Sequence, residues 1–222
     1  MLSKGLRVAI FSAAAMLYAG SASAADISFT GSFATDDTVQ LFNFSVAAPS
    51  LVKLRSYSYA GGVQANGNVV SAGGFDPILA LFDSAGHLIN QNDDGHGVVP
   101  FDSATGNDWD TYLQSTLAPG NYVVSVMEYD NFANGPNLAN GFSRDGQGNF
   151  TAAFACGAAA FCDVGAHSRT NQWAFDILNV SDAVLADRVP GNVSAVPIPA
   201  ALPLLMSALA WLGFFGYRRR GA

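Results

Sequence analysis

The side chains with the clearest chemical potential are oxygen-bearing residues in one polar segment. Asn92, Asp93 and Asp94 stand together directly before Gly95. Calcium binds about six to eight oxygens from carboxylates, amides and backbone carbonyls of flexible loops, so this segment is a candidate part of a calcium site. The same residue types also form Asx turns, and that remains the alternative for each of them. The spacing is not that of an EF-hand loop.

Acidic residues of a second segment are the further candidate ligands. Asp110 precedes an apolar run that ends close to Asp130. If this run pairs with the strands around the polar segment, both carboxylates approach it. The predicted calcium ligands are therefore Asn92, Asp93, Asp94, Asp110 and Asp130. Additional candidates of the same type are Asp76, Asp83, Asp108, Glu128 and Asn131.

The order of residues contains no motif that predicts catalysis. The three histidines, His87, His96 and His167, each lie in a turn or loop. A Gly-x-Ser-x-Gly elbow, a His-Glu-x-x-His motif and a P-loop are all missing from the sequence. Because Glu128 is the single glutamate, a glycosidase-type carboxylate pair would need aspartates, and the sequence selects none. We expect a non-enzymatic protein, with a hydrolase as the more remote alternative.

The two cysteines predict a small disulfide-bonded loop. Cys156 and Cys162 are separated by five residues. An even pair at this spacing is typical of a disulfide in an exported protein. A zinc site that recruits His167 is the alternative, but it lacks a fourth ligand and the usual short spacing.

Both ends of the chain predict export and membrane attachment. Residues 1–24 read as a signal peptide, with Lys4 and Arg7 before an apolar core and a small-residue cleavage site that leaves Ala25 first. Residues 200–217 form an apolar run that would span about 27 Å as a helix. Arg218, Arg219 and Arg220 follow and hold that end in the cytoplasm. The middle of the chain would then face the periplasm from the inner membrane.

The tail also resembles a known sorting signal. Val196, Pro197, Ile198 and Pro199 precede the apolar run and the terminal arginines. This order resembles the PEP-CTERM signal of Gram-negative bacteria, with Ile198 where Glu is usual, so that it is closer to the Val-Pro-Leu-Pro-Ala variant. The resemblance implies recognition and cleavage by a membrane enzyme, the exosortase, and delivery to the cell surface or beyond. A plain single-pass anchor is the alternative.

The charge of the middle part excludes nucleic acid as a partner. It contains all 17 acidic residues and five basic ones, a net charge of −12, against −7 for the whole chain. Such a domain repels polyanions and anionic lipid surfaces. We divide this part into a domain over 25–180 and a linker over 181–195, although Val184 and Leu185 in the linker are apolar; the sorting tail covers 196–222.

Alternating apolar residues and frequent turn signals predict an all-β fold. Predicted strands cover 27–33, 39–46, 51–59, 78–82, 87–89, 112–117, 122–127, 150–154 and 173–180. Two pairs of these, around 83–86 and 118–121, are predicted to be hairpins, and 60–74 is predicted to be a long loop. Short strands at this spacing indicate a β-sandwich or jelly roll.

The segment from Phe75 to Tyr129 resembles the bacterial pre-peptidase C-terminal domain. It contains F-D-P before an apolar strand, an Asp-Asp-Gly loop and a Leu-x-Pro-Gly-x-Tyr turn. The resemblance implies a small accessory β-sandwich that binds calcium or polymers in some members. We expect a structural or adhesive envelope protein, with a carbohydrate-binding module as the alternative. Its flat rings would come from Tyr57, Tyr59, Trp109, Tyr112, Tyr129, Phe132 and Phe142. Packing in the core and at strand edges, which is far commoner for aromatic residues in a sandwich, is the alternative for each of them.

Overall fold

A computed structural model of the protein describes residues 24–186. Apart from Ala24, the predicted signal peptide lies outside this range, as do the sorting motif, the apolar run 200–217 and the terminal arginines. The described part contains strands and two short 3-10 helices, Leu138–Asn140 and Phe150–Phe154. The strands are β1 Ala25–Ser32, β2 Gln40–Val46, β3 Ser50–Ser56, β4 Gly62–Val63, β5 Val69–Val70, β6 Pro77–Asp83, β7 Leu88–Asn92, β8 Tyr112–Leu117, β9 Gly120–Glu128, β10 Gln172–Val180 and β11 Asp182–Ala186.

Two antiparallel sheets pack face to face and confirm the predicted β-sandwich. One sheet has the strand order β1-β10-β3-β8 and the other has the order β11-β2-β9-β6-β7. Alternate residues of both sheets point inward, and Phe42, Leu54 and Phe175 in the resulting core are fully buried. The aromatic rings of Phe42 and Trp173 meet edge to face with centroids 5.7 Å apart. Burial of this apolar surface is the main source of stability for such a fold.

A second apolar cluster covers the outer face of the five-stranded sheet. Ile78, Phe82 and Met127 project there and pack under Leu138 and Phe142 from the long segment after β9. Strand β6 is therefore buried on both faces, which explains its continuous apolar sequence. The hairpin of β6 and β7 is confirmed, since these strands pair through the turn at 84–87.

The second predicted hairpin is wrong. Strand β8 pairs with β3 in one sheet, whereas β9 pairs with β2 and β6 in the other. The segment around Pro119 is thus an arch that crosses from sheet to sheet. Leu117 before the arch and Val124 after it enter the same core from opposite sides. A turn between two alternating strands looks the same in sequence whether the strands pair or separate.

Three further segments differ from the sequence-based expectation. The predicted strand at 150–154 is a 3-10 helix, because the buried Asp36 carboxylate accepts the backbone N–H groups of Asn149 and Thr151. The predicted loop 60–74 contains the small hairpin of β4 and β5. Residues 182–186, assigned to the linker, form β11 on β2, with Ala183 buried against the core. The sandwich therefore continues past residue 180.

Within residues 24–186 no helix has the length and apolar character needed to cross a bilayer.

Candidate functional site

The loop after β7 contacts the segment before β8, as the calcium hypothesis requires. The backbone N–H of Gly95 donates to the carbonyl of Asp110 at 2.8 Å, and the Thr111 hydroxyl donates to the carbonyl of Asp93 at 2.7 Å. A Cβ atom at position 95 would lie 2.8 Å from the backbone nitrogen of Tyr112, so this close approach requires glycine. The loop is therefore held in place by hydrogen bonds from its backbone to the backbone of Asp110 and to the Thr111 side chain.

Asp94 takes part in an ion pair at the edge of this loop. The His96 ring lies between two carboxylates, with Nε2 3.2 Å from Asp94 Oδ2 and Nδ1 2.7 Å from Asp108 Oδ1. The hydrogen bond to Asp108 raises the pKa of His96. Partial burial and the charge of Asp93 raise the pKa of Asp94 to about 6. Asn92, the third predicted ligand of the loop, donates through its amide to the carbonyl of Tyr112 at 2.9 Å.

The Asp110 side chain forms hydrogen bonds with the backbone of a different segment. Its side chain is fully buried and accepts hydrogen bonds from Ser56 Oγ at 2.7 Å and from the N–H groups of Tyr59 and Ala60 at 3.1 and 2.8 Å. Burial raises its pKa, although these donors oppose the shift. The carboxylate therefore fixes the chain after β3 through hydrogen bonds between segments that are distant in sequence.

Asp130 lies against an arginine of the covering segment. Its Oδ2 atom is 2.6 Å from Arg144 Nη2, and the guanidinium group also stacks over the Phe150 ring at 5.2 Å. The structure therefore brings Asn92, Asp93 and Asp94 together with the backbone beside Asp110, while the Asp110 and Asp130 carboxylates have other partners. Within residues 24–186, no three His, Cys, Asp or Glu side chains are grouped as a metal centre.

Two of the additional ligand candidates, Asp76 and Glu128, are buried carboxylates near the end of the β6–β9 ladder. The register pairs Pro77 with Glu128, and the Tyr129 N–H donates to the Asp76 carbonyl at 2.8 Å, so Asp76 lies opposite Tyr129 and one position away from Glu128. Their side chains are 4% and 0% exposed. Asp76 Oδ1 and both Oε atoms of Glu128 have no hydrogen-bond partner among the described residues.

The electrostatics of the pair reflect this burial. Loss of water raises the pKa of Asp76 well above its ordinary value, and the charges of Asp94 and Asp93 raise it further. Burial also raises the pKa of Glu128 well above its ordinary value, with the charge of Asp76 as the next cause. The charges of Asp93 and Asp94 therefore act on Asp76, and the charge of Asp76 acts on Glu128.

The sequence does carry a signal for Glu128. Val124 and Val126 point into the core between the sheets, and Glu128 is the next residue of that alternating series. A charged residue at an inward position is unusual unless it has a partner. Asp76 carries a weaker signal, because an aspartate before a buried strand is also a common turn residue.

The two cysteines form the predicted disulfide, with Cα atoms 5.6 Å apart. This excludes the zinc alternative that uses both thiolates. His167 instead pairs through Nδ1 with the buried Asp163 carboxylate at 3.0 Å, and Asp163 also accepts the Tyr59 hydroxyl at 2.7 Å. The residues directly after the disulfide loop therefore belong to a hydrogen-bonded network with the buried Tyr59 side chain.

The aromatic residues predicted as a possible sugar-binding face mostly lie in the core. Tyr57, Tyr59 and Phe142 are at most 5% exposed, and the ring of Trp109 packs on that of Tyr59 with centroids 5.3 Å apart. A different ring, that of Trp173, lines a cavity of about 460 Å³ beneath the β4–β5 hairpin. The remaining lining residues are Thr30, Ser58, Asn68, Val69, Val70, Ser71, Ala72, Gly74, Thr170, Gln172 and Ala174.

Comparison with protein-family models gives no match, and comparison with curated proteins gives none either. Among solved structures, the chain is similar to the pre-peptidase C-terminal domain of a collagenase from Bacillus anthracis, with 11% identity. The match covers 69% of this chain and 87% of that chain at a TM-score of 0.32. A likeness this distant supports no inference, and the sandwich assignment stands on the sheets and core of the chain itself.

Proposed function

We propose that this protein is an exported, non-enzymatic β-sandwich that is held at the cell envelope and has a structural or adhesive role there. The observation that carries the proposal is the disulfide between Cys156 and Cys162. Disulfides persist in oxidising compartments such as the periplasm and are rare in the cytosol. The signal-peptide pattern of residues 1–24 and the apolar run 200–217 support the same location.

The chemistry of the described residues supports a non-catalytic role. Asp76 and Glu128 have the raised pKa values of catalytic acids, yet their side chains are too deeply buried to contact a polymer substrate. Each histidine is bonded to an aspartate within a loop, as His87 is to Asp83 at 3.0 Å. These pairs contribute to loop structure.

The tail supports the envelope assignment. The motif 196–199, the apolar run and Arg218–Arg220 are the features by which an exosortase-like sorting protease would recognise the chain. With the run retained, the protein stays in the inner membrane with its acidic sandwich in the periplasm. With the tail cut, the sandwich reaches the cell surface or the extracellular matrix, where polysaccharide is the expected neighbour.

The test is to express the complete chain in a Gram-negative host, fractionate the cells and determine both mature termini by mass spectrometry. We expect Ala25 as the first residue and a non-cytosolic location. Termination near 196–199 would indicate sorting, and retention of Arg218–Arg220 in the membrane fraction would indicate anchoring. An untrimmed chain in the cytosol with two free thiols would contradict the proposal.

A carbohydrate-binding module is the second candidate function, and the cavity beside Trp173 favours it. Its wall combines one aromatic ring with hydroxyl and amide groups, which are the groups that bind sugars. The test is a glycan array with the full chain, followed by Gln172→Ala for any sugar that binds. Loss of binding in this variant supports the cavity as the site, and an array without signal rejects the module.

A further inference from the structure

We propose that the β4–β5 hairpin is a hinged flap over the cavity beneath it, which opens while the sandwich stays folded and closes on an uncharged ligand with several hydroxyl groups. The flap is defined as residues 62–72. The ligand part rests on the carbohydrate-binding module proposed above, whereas the hinge and the opening rest on the contacts of the flap alone.

The first step is that the flap is not held in place by apolar burial. Val63 and Val69 pair across the hairpin, and they are 61% and 75% exposed. Neither apolar cluster of residues 24–186 contains a residue of the flap. Segments with few buried apolar contacts open at a lower free energy than the core of the same protein. We therefore expect the flap to open locally, without global unfolding.

The second step is that a polar latch joins the flap to the four-stranded sheet. The buried Asp176 carboxylate on β10 accepts the Ala65 N–H at 2.8 Å and the Gln64 Nε2 donor at 3.1 Å. The same Gln64 amide donates to the carbonyls of Phe29 and Phe175 at 3.1 and 3.3 Å. Because opening exchanges such hydrogen bonds for bonds to water, their net contribution is modest and the latch is reversible.

The third step is that the chain can rotate at both ends of the flap. Gly62 and Gly73 have φ angles of +140° and +110°, a region that glycine adopts without strain. The chain beside them is fixed to the sandwich, since the Ala60 N–H donates to the Asp110 carboxylate at 2.8 Å and the Gly73 N–H donates to the Tyr59 carbonyl at 3.0 Å. Rotation is therefore confined to two points, which is the arrangement of a hinge.

The fourth step concerns the ligand that the flap would enclose. Asn68 and Ser71 line the cavity from the flap, and Ser58 and Thr170 line it from the sandwich. The described residues that line the cavity include no charged side chain. Hydroxyl and amide groups bind a hydroxylated ligand, whereas nothing in this lining compensates an ionic one. A ligand that contacts both walls binds the closed state better and therefore shifts the flap toward closure.

The test is site-resolved hydrogen exchange, measured by mass spectrometry on the full chain in detergent. The Ala65 amide reports on the flap, because it bonds to Asp176 rather than within the hairpin, and the Val124 amide on β9 reports on the sandwich. We expect Ala65 to exchange faster than Val124. Gln64→Ala should raise the exchange rate of Ala65 about tenfold and leave that of Val124 unchanged. Val69→Ala, an exposed position on the same flap, is the matched control and should change neither rate.

Equal exchange rates of Ala65 and Val124 in the parent, or an equal rise of both rates in Gln64→Ala, would show that the flap opens only together with the sandwich. Either result overturns the hinge.

Closure on a ligand is tested by the same exchange experiment with a panel of neutral mono- and disaccharides and, as charged counterparts, the corresponding uronic acids. Slower exchange of Ala65 with a neutral sugar, but not with its uronic acid, supports closure on an uncharged ligand. A neutral sugar that binds by calorimetry without slowing Ala65 overturns the closure and leaves the carbohydrate-binding module intact. A panel in which no sugar binds overturns the module and the closure together.

Discussion

At the scale of single residues, Asp110 and Glu128 show what local sequence can and cannot predict. Asp110 has the surroundings of a loop ligand, yet its carboxylate holds the backbone of residues 59 and 60. That contact joins segments about fifty positions apart, and nothing near Asp110 in the sequence announces it. Glu128, in contrast, stands out because it interrupts an apolar alternation that is visible without a structure.

The raised pKa of Glu128 predicts a pH dependence of stability. A carboxyl whose folded pKa is raised stabilises the native state below its unfolded pKa, near 4.5, and this contribution is lost as pH rises toward the folded value. The parent should therefore lose stability as the pH rises above the unfolded value. Glu128→Gln should lose less over the same pH range, because its side chain cannot ionise.

The measurement is urea unfolding of both proteins at several pH values. Asp182→Asn should follow the parent, because that carboxylate is exposed. Parallel pH profiles for the parent and Glu128→Gln would show that Glu128 is ionised in the folded protein and would contradict this prediction.

At the scale of elements, the sequence predicts the existence of the strands better than their partners. The apolar alternation locates β1, β2, β3, β6 and β10 to within a few residues. It does not distinguish a hairpin from the arch between β8 and β9, because both need a turn between alternating strands. It also misses β11, since five residues with two exposed apolar side chains resemble a spacer as closely as an edge strand.

The two faces of β11 predict a difference between neighbouring substitutions. Ala183 is 8% exposed against the core, whereas Val184 is 51% exposed. Ala183→Asp would place an unpaired charge in the core and should lower the free energy of unfolding by about 3 kcal/mol or more. Val184→Asp should change it by less than about 1 kcal/mol.

Chemical denaturation of both variants measures this difference. Limited proteolysis provides a second readout, because a detached β11 would be cut near Ala183 in the first variant alone. Equal stability of the two variants would show that residues 182–186 behave as the linker that the sequence indicates.

At the scale of the whole molecule, the amino-acid composition predicts the fold class. Abundant glycine and a marked scarcity of lysine and glutamate in the middle part predict strands and loops, which the two sheets confirm. Composition does not predict the second apolar cluster, because the segment that covers it is rich in Asn and Gly and reads as a surface loop.

The disulfide predicts a redox dependence of overall stability. Because the bond closes only the short loop from Cys156 to Cys162, its removal should cost about 2 kcal/mol. Cys156→Ala should therefore unfold at a lower urea concentration than the parent. Dithiothreitol should lower the urea midpoint of the parent to a similar value. The variant should not respond to dithiothreitol. A parent whose midpoint is unchanged by complete reduction would contradict this.

The position of β1 and β11 has a mechanical consequence. Each is the outermost strand of its sheet, and each is held by a single neighbour, β10 and β2 respectively. A pulling force applied at Ala186 would therefore act first on the hydrogen bonds between β11 and β2. A pulling force applied at Ala25 would act first on those between β1 and β10. Under load, the outer strands would detach first, while the buried strands β6 and β9 would keep their places in the sandwich.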